Sequence, residues 1–213
     1  MPKLTDLAKI KAALMTPEQV AAKEAFKSQF TPGYYHGSPT PNIKSFDSSK
    51  SIRGPEWTTP NVTFASPSPK FADDYTQMFV TGAPGKQKSS YPTGATIYPV
   101  SINKGNHFDV DTPLGEITVN KFIKESGMSP KEADQFAYII SDPHSNWNAM
   151  ESTGFLDFLK RSGYDSFTVN EAGVKNVGVF DPARIRGKFA DFDPAEAANP
   201  DFMKAQGGLI DLK

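Results

Sequence analysis

Proline and glycine set the length of everything this chain can build. Eighteen prolines and 16 glycines are spread through 213 residues, somewhat above ordinary usage. Each proline removes a backbone donor and blocks the helix behind it, and each glycine loosens the chain. Such punctuation favours loops, short strands and brief helices over long regular elements. The N-terminus is the exception. Leu4, Leu7, Ile10 and Leu14 recur at helical spacing. Thr16-Pro17-Glu18-Gln19 then supplies a cap, a proline at the first helical position and a capping-box partner for a second helix running to about Phe30. Residues 1–31 read as a helical arm, 32–190 as the main domain, and 191–213 as a polar, Ala/Asp/Pro-rich tail.

Within the main domain the pattern alternates between extended and helical segments. Residues 34–37 suit a strand end and 42–60 a loop. Residues 61–65 make a plausible strand, followed by Ser68 as cap and Pro69 in the first turn of a helix over 71–79. Residues 82–94 read as a polar loop. The clearest strand is 95–102, in which Pro99 marks an edge or a bulge. Thr118 is positioned to cap a helix ending at Gly127, and Ser129-Pro130-Lys131-Glu132 opens another that ends near Ile140. A third helix over 153–161 turns Phe155, Leu156 and Leu159 inward and stops at Gly163. Residues 166–169 and 177–180 form a strand–turn–strand unit around Glu171-Ala172-Gly173. The expected class is α+β, a mixed or antiparallel sheet core with peripheral helices.

Composition removes several functions. With 23 basic residues against 24 acidic ones, no charge bias points to nucleic acid or to an anionic membrane surface as partner. The lack of cysteine excludes disulfides, thiolate catalysis and zinc–thiolate sites. The first thirty residues hold no apolar stretch like that of a signal peptide, and no run approaches the roughly 20 apolar residues that span a bilayer. The sequence reads as that of a soluble protein. Its three histidines match no short metal-ligand pattern, so no metal is expected. No Gly-x-Ser-x-Gly elbow, Walker loop or Gly-x-Gly-x-x-Gly turn occurs. His107 and His144 read as loop residues. His36, in Tyr34-Tyr35-His36-Gly37-Ser38-Pro39, suits a ligand contact, because the glycine admits close backbone approach while a ring nitrogen offers a hydrogen bond. An ordinary turn histidine fits the same segment.

Three segments, in order, resemble the ADP-ribosyltransferase fold of the diphtheria-toxin type, and more narrowly the ADP-ribosyltransferase domains of phage polyvalent proteins. The first is Tyr34 to Pro39 with Ile43 and Phe46 downstream. Thr63 to Tyr75, an aromatic strand, a proline-rich turn and a helix ending in tyrosine, is the second. The third is Gly163-Tyr164-Asp165 leading into Val179-Phe180-Asp181-Pro182 and Ile185. Together they cover roughly 34–185.

The resemblance implies NAD as substrate and assigns roles. His36 would hold a ribose hydroxyl, the Gly37 backbone would face the nicotinamide amide, and Tyr75 would stack on the nicotinamide ring. Ser38, Phe64 and Ala65 would complete the NAD-binding surface. The family's catalytic glutamate, which accepts from the ribose 2′-hydroxyl and stabilises the cationic transition state, corresponds here to Asn176. Glu171, in the loop before it, is the substitute carboxylate; a solvated turn residue is the other reading. Two functions follow. One is an NAD-dependent mono-ADP-ribosyltransferase that releases nicotinamide and acts on a protein or small-molecule acceptor. The other is a catalytically inactive binding or structural protein of the same fold, a phage virion component docked on phage structural proteins. The first places the chain in the cytoplasm of a host cell, the second in a virion.

Overall fold

The structure, a computed structural model, describes residues 15–46, 62–76, 78–80, 88–90, 94–152, 154–190 and 192–202. Leu4, Leu7, Ile10 and Leu14 lie outside them. The second N-terminal helix is α1, Pro17–Lys27. Thr16 Oγ1 accepts from Gln19 N, and the Gln19 side chain accepts from Thr16 N, so the capping box is complete. The helix ends at Lys27 rather than Phe30. Phe30 is instead buried against Phe192, with ring centroids 5.2 Å apart.

The architecture is α+β, with two main sheets. In one, β1 (Thr31–Ser38), β5 (Thr96–Ile102) and β9 (Ile185–Gly187) pair antiparallel in that order. In the other, β2 (Thr63–Ala65) pairs with β8 (Val174–Val179), which pairs with β7 (Ser166–Glu171), all antiparallel. The parallel strand β6 (His107–Phe108) closes the edge. β3 (Met78–Val80) and β4 (Lys88–Ser90) form a separate antiparallel ribbon. The helices are α2 (Pro69–Asp74), α3 (Pro113–Ser126), α4 (Pro130–Ile140), α5 (Trp147–Ser152) and α6 (Phe155–Arg161).

Strand alternation divides the buried side chains between two cores. On β7, Phe167 and Val169 face a core shared with Phe122, Phe136 and Phe155 of the helices. On β8, Val177 and Val179 face the other sheet and pack with Val100, Ile102 and Ile185. Both cores are rich in ring contacts, such as Phe122–Phe155 at 4.9 Å and Phe46–Phe202 at 4.4 Å.

Several sequence expectations shift. Helix α3 begins at Pro113 under a Thr112 cap, not at Thr118, whose buried hydroxyl donates to Leu114 O inside the helix. Helix α2 ends at Asp74, and Phe79 belongs to β3; the Thr76 hydroxyl takes the Asp73 carbonyl and closes the helix early. The loop expected over 82–94 contains β4. Pro99 lies in a central strand rather than at an edge. Its missing donor is tolerated because the β5–β9 pairing covers only Val100 to Ile102. Helix α5 carried no sequence signal that we read.

The segment after β9 returns to the sheet. Phe202 N donates to Lys44 O at 3.0 Å, Gly187 N donates to Phe202 O at 3.1 Å, and the Phe202 ring is 1 % exposed. Arg186 is buried, and its guanidinium donates to the carbonyls of Ala183, Ile185, Glu196 and Ala197. If residues 192–202 are an integral layer, Phe202→Ala will lower the unfolding free energy by about 3–5 kcal/mol. Urea denaturation reads this as an earlier midpoint at unchanged slope. A change below ~0.5 kcal/mol would mark the segment as a loose tail.

Candidate functional site

One bridge joins the two sheets, and the candidate site forms where they part. Tyr35 N donates to Ser66 O at 2.8 Å, and Ser66 N donates to Tyr35 O at 2.9 Å. One residue on, β1 leaves β2 and His36 fills the wedge. Its Nδ1–H donates to Phe64 O at 2.7 Å. A carbonyl only accepts, so Nδ1 carries the proton of the neutral ring and Nε2 is left as an acceptor. The ring packs edge-on against Phe46 at 4.5 Å and lies 6.5 Å from Tyr98. Burial pushes the His36 pKa down, against the opposing pull of the Phe64 carbonyl, so the ring is neutral at pH 7.

Gly37 is where β1 touches α2. A Cβ there would stand 1.7 Å from Ala72 O and 3.3 Å from Tyr75 Cβ. Only glycine permits that approach. Helix α2 is fixed at its start by Ser68, whose hydroxyl accepts from Phe71 N at 3.2 Å. Its C-cap is Tyr75, and the ring lies 5.7 Å from Phe71. Successive residues of a strand face opposite ways. His36 therefore faces Phe46 and Tyr98, while the Gly37 side of β1 meets Tyr75.

The second sheet supplies two polar groups to the same place. Glu171 is the last residue of β7. Ala172 (φ 49°) and Gly173 (φ 75°) form a two-residue turn into β8, the hairpin geometry that needs positive φ at both positions. Counting along β7, Glu171 shares a face with Phe167 and Val169. Across the ladder, Val169 pairs with Asn176, so Asn176 and Glu171 share that face. The Tyr75 hydroxyl donates to Glu171 Oε1, and Asn176 Nδ2 donates to Glu171 Oε2 at 3.4 Å. A carboxylate accepts only, which fixes the amide with its nitrogen toward Glu171. Asn176 is 3 % exposed, and its Oδ1 has no hydrogen-bond partner among the described residues. A buried acceptor left so costs about 1–3 kcal/mol.

The remaining positions contribute differently. The Phe64 ring lies 5.0 Å from Trp147 and 5.9 Å from Phe167, in the helical core. Ala65 is buried between the sheets, and buried Ser38 accepts from Thr40 N at 3.1 Å. The structure thus gathers Gly37, Tyr75, Glu171 and Asn176, sets His36 on the adjoining side of the same strand, and gives Ser38, Phe64 and Ala65 packing or local hydrogen-bonding contacts. Trp147, beside Phe64, was not singled out in the sequence.

Of the other histidines, His144 is an exposed loop residue. His107 is not: it lies in β6, partly buried, with Nδ1 2.7 Å from Ser166 Oγ and Nε2 2.9 Å from Thr168 Oγ1. The Ser166 hydroxyl donates its one proton to Lys104 O at 2.6 Å. Nδ1 must then be the donor to Ser166, and Thr168 donates to a bare Nε2. Burial, with the charge of Lys104 adding to it and that of Asp109 opposing, pushes the His107 pKa down to about 4.

No family model, characterised protein or solved structure matches this chain. Among the described residues, no helix is long and apolar enough to cross a membrane, and no group of three or more His, Asp or Glu could hold a metal ion.

The histidines predict an acid response. The unfolded chain takes up a proton on His107 near its ordinary value of 6.5, and the folded chain only near 4. The unfolded state therefore binds more protons in that window, and stability falls as pH drops from 6.5 to 4. His36, shifted in the same direction, adds to the slope. Denaturation midpoints measured at pH 7, 6, 5 and 4 should fall steadily, and His107→Asn should flatten the series. An unchanged slope in the variant would show that His107 is not buried neutral.

Proposed function

We propose that this chain binds NAD where β1, α2 and the β7–β8 hairpin meet, and acts as a mono-ADP-ribosyltransferase. One observation carries the reading. Tyr75, Glu171 and Asn176 come from three separate elements, yet their polar ends meet beside a glycine that no other residue could replace. These groups suit a sugar-bearing ligand. Asn176 Oδ1 and the Glu171 carboxylate accept hydrogen bonds on the Tyr75 side of β1, and His36 Nε2 on its other side; ribose hydroxyls donate them. Tyr75 offers an aromatic face for a flat heterocycle. Gly37 lets helix α2 lie close enough on β1 to bring Tyr75 there.

In the transfer, the bond between the nicotinamide nitrogen and the anomeric carbon of ribose breaks, and its electron pair stays with nicotinamide. An acceptor nucleophile then bonds to that carbon and gives up its proton. The protein's part is to orient the ribose and to set negative charge beside the positive charge that develops.

One feature favours the second reading, an inactive binding or structural protein of the same fold, including one carried in a phage particle. Asn176 is neutral where the resembled family has glutamate. NAD binding is the first test. At roughly ten times Kd, a ligand stabilises the folded state by about 1.4 kcal/mol, or roughly 3–6 °C in Tm for a chain of this size. NAD should raise the Tm of the wild type and shift Tyr75→Ala much less. If neither protein shifts at millimolar NAD, the proposed function is wrong.

A further inference from the structure

The position that resembles a catalytic glutamate holds an asparagine, but the cluster is not without charge. Glu171 ends β7 on the same sheet face as Asn176, the third residue of β8 after the two-residue turn Ala172-Gly173. Its carboxylate is gripped from two sides. The Tyr75 hydroxyl donates to one oxygen and the Asn176 amide to the other. The turn itself is tied down, because Gly173 N donates to His144 O at 3.0 Å, and Asn146 N donates to Asn170 O at the same distance. Glu171 is therefore a strand residue held in a fixed place, not a solvated loop side chain. Beside it, Asn176 is 3 % exposed and its Oδ1 is buried without a partner among the described residues, an acceptor that a ligand's hydroxyl would satisfy.

Resting on the NAD reading above, we infer that Glu171 is the catalytic carboxylate, reaching in from β7, and that Asn176 is a positioning residue that holds it and reads a ribose hydroxyl through Oδ1. Division of labour explains why both are present. Asn176 accepts a hydroxyl hydrogen bond and orients Glu171 with its amide. Glu171 supplies the full negative charge that stabilises the ribosyl cation as the carbon–nitrogen bond to nicotinamide breaks. With water as the acceptor, the oxygen of water bonds to the anomeric carbon, one water proton passes to Glu171 or bulk solvent, and the products are ADP-ribose and nicotinamide. Tyr75 then acts twice, through its ring and through its hydroxyl on Glu171.

The test compares NAD binding by calorimetry with nicotinamide release for the wild type, Glu171→Gln, Glu171→Asp and Asn176→Glu. Glutamine keeps the shape and can still accept from Tyr75, so its fold and NAD affinity should hold within about threefold while kcat falls by ~10²–10³. Aspartate keeps the charge but withdraws it by one methylene, and should recover part of the loss. Asn176→Glu adds a second carboxylate beside the first, and should not raise turnover. The inference is overturned if Glu171→Gln binds NAD and turns it over like the wild type, or changes only Tm. It is equally overturned if a wild type that binds NAD but is silent gains at least tenfold from Asn176→Glu, since position 176 would then be the missing catalytic group. A wild type that binds NAD and stays silent in every variant also overturns it. Absence of NAD binding in all four proteins is a different failure, since it removes the NAD reading itself.

Discussion

Two hydrogen bonds between Tyr35 and Ser66 hold the two sheets together at the candidate site, and its geometry follows from them. They fix the spacing of β1 and β2 for a single residue pair. Beyond that pair the strands diverge, the Phe64 carbonyl loses a strand partner, and His36 replaces it. The chain that leaves β2 through Ser66 turns at once into α2. That helix can lie on β1 only because Gly37 has no side chain. Tyr75, at the helix end, is thereby delivered to the β7–β8 hairpin of the second sheet. Had β1 and β2 paired over their full length, there would be no wedge for His36.

Hydrogen-bond accounting separates two polar clusters among the described residues. Around His107 every donor finds an acceptor: Ser166 to Lys104 O, His107 Nδ1 to Ser166, and Thr168 to Nε2. That chain is closed, and it holds β6 to β7. Around Glu171 the count does not close. Two donors serve one carboxylate, and Asn176 Oδ1 remains over. A satisfied network rigidifies a fold, while a buried acceptor without a donor is a standing cost. The first cluster is architecture. The second leaves one acceptor unmatched among the described residues.

Local signals in the sequence were most legible where a side chain caps a helix. Thr16 with Gln19 and Ser129 with Glu132 each close a full capping box, and Ser68 caps α2 as its spacing suggests. Thr118 misled because a threonine before an apolar run has the same signature whether it caps or lies inside. Only its bonds to Leu114 O and Tyr164 Oη show which. Helix α2 was read too long because Thr76 stops it through the Asp73 carbonyl, an interaction with no periodicity to detect. His107 reads as a loop residue because its partners lie about sixty residues away. For the site, the residues themselves were legible and their arrangement was not. Glu171 looked like loop, although a two-residue Ala-Gly turn between β-branched runs already places residue 171 at a strand end. Its contacts with Tyr75 depend on tertiary structure alone.

The hairpin that carries Glu171 concentrates unfavourable terms. Ala172 holds a left-handed conformation that an L-residue other than glycine adopts at a cost of about 1–2 kcal/mol. Asn176 buries an unmatched carbonyl four positions later. Nothing in the packing of β7 against β8 requires either one: glycine at 172 would relieve the first, and valine at 176, like its pair partner Val169, would remove the second. Such strain persists where surrounding contacts over-determine it, and here the bonds from Gly173 to His144 and from Asn146 to Asn170 do so. What the strained turn achieves is specific. It makes the loop short enough that Glu171 and Asn176 stand on one face within reach of each other and of Tyr75. A relaxed, longer loop would let the carboxylate swing into solvent. The cost falls on the residues whose placement the proposed chemistry would need, and the rest of the hairpin is ordinary packing.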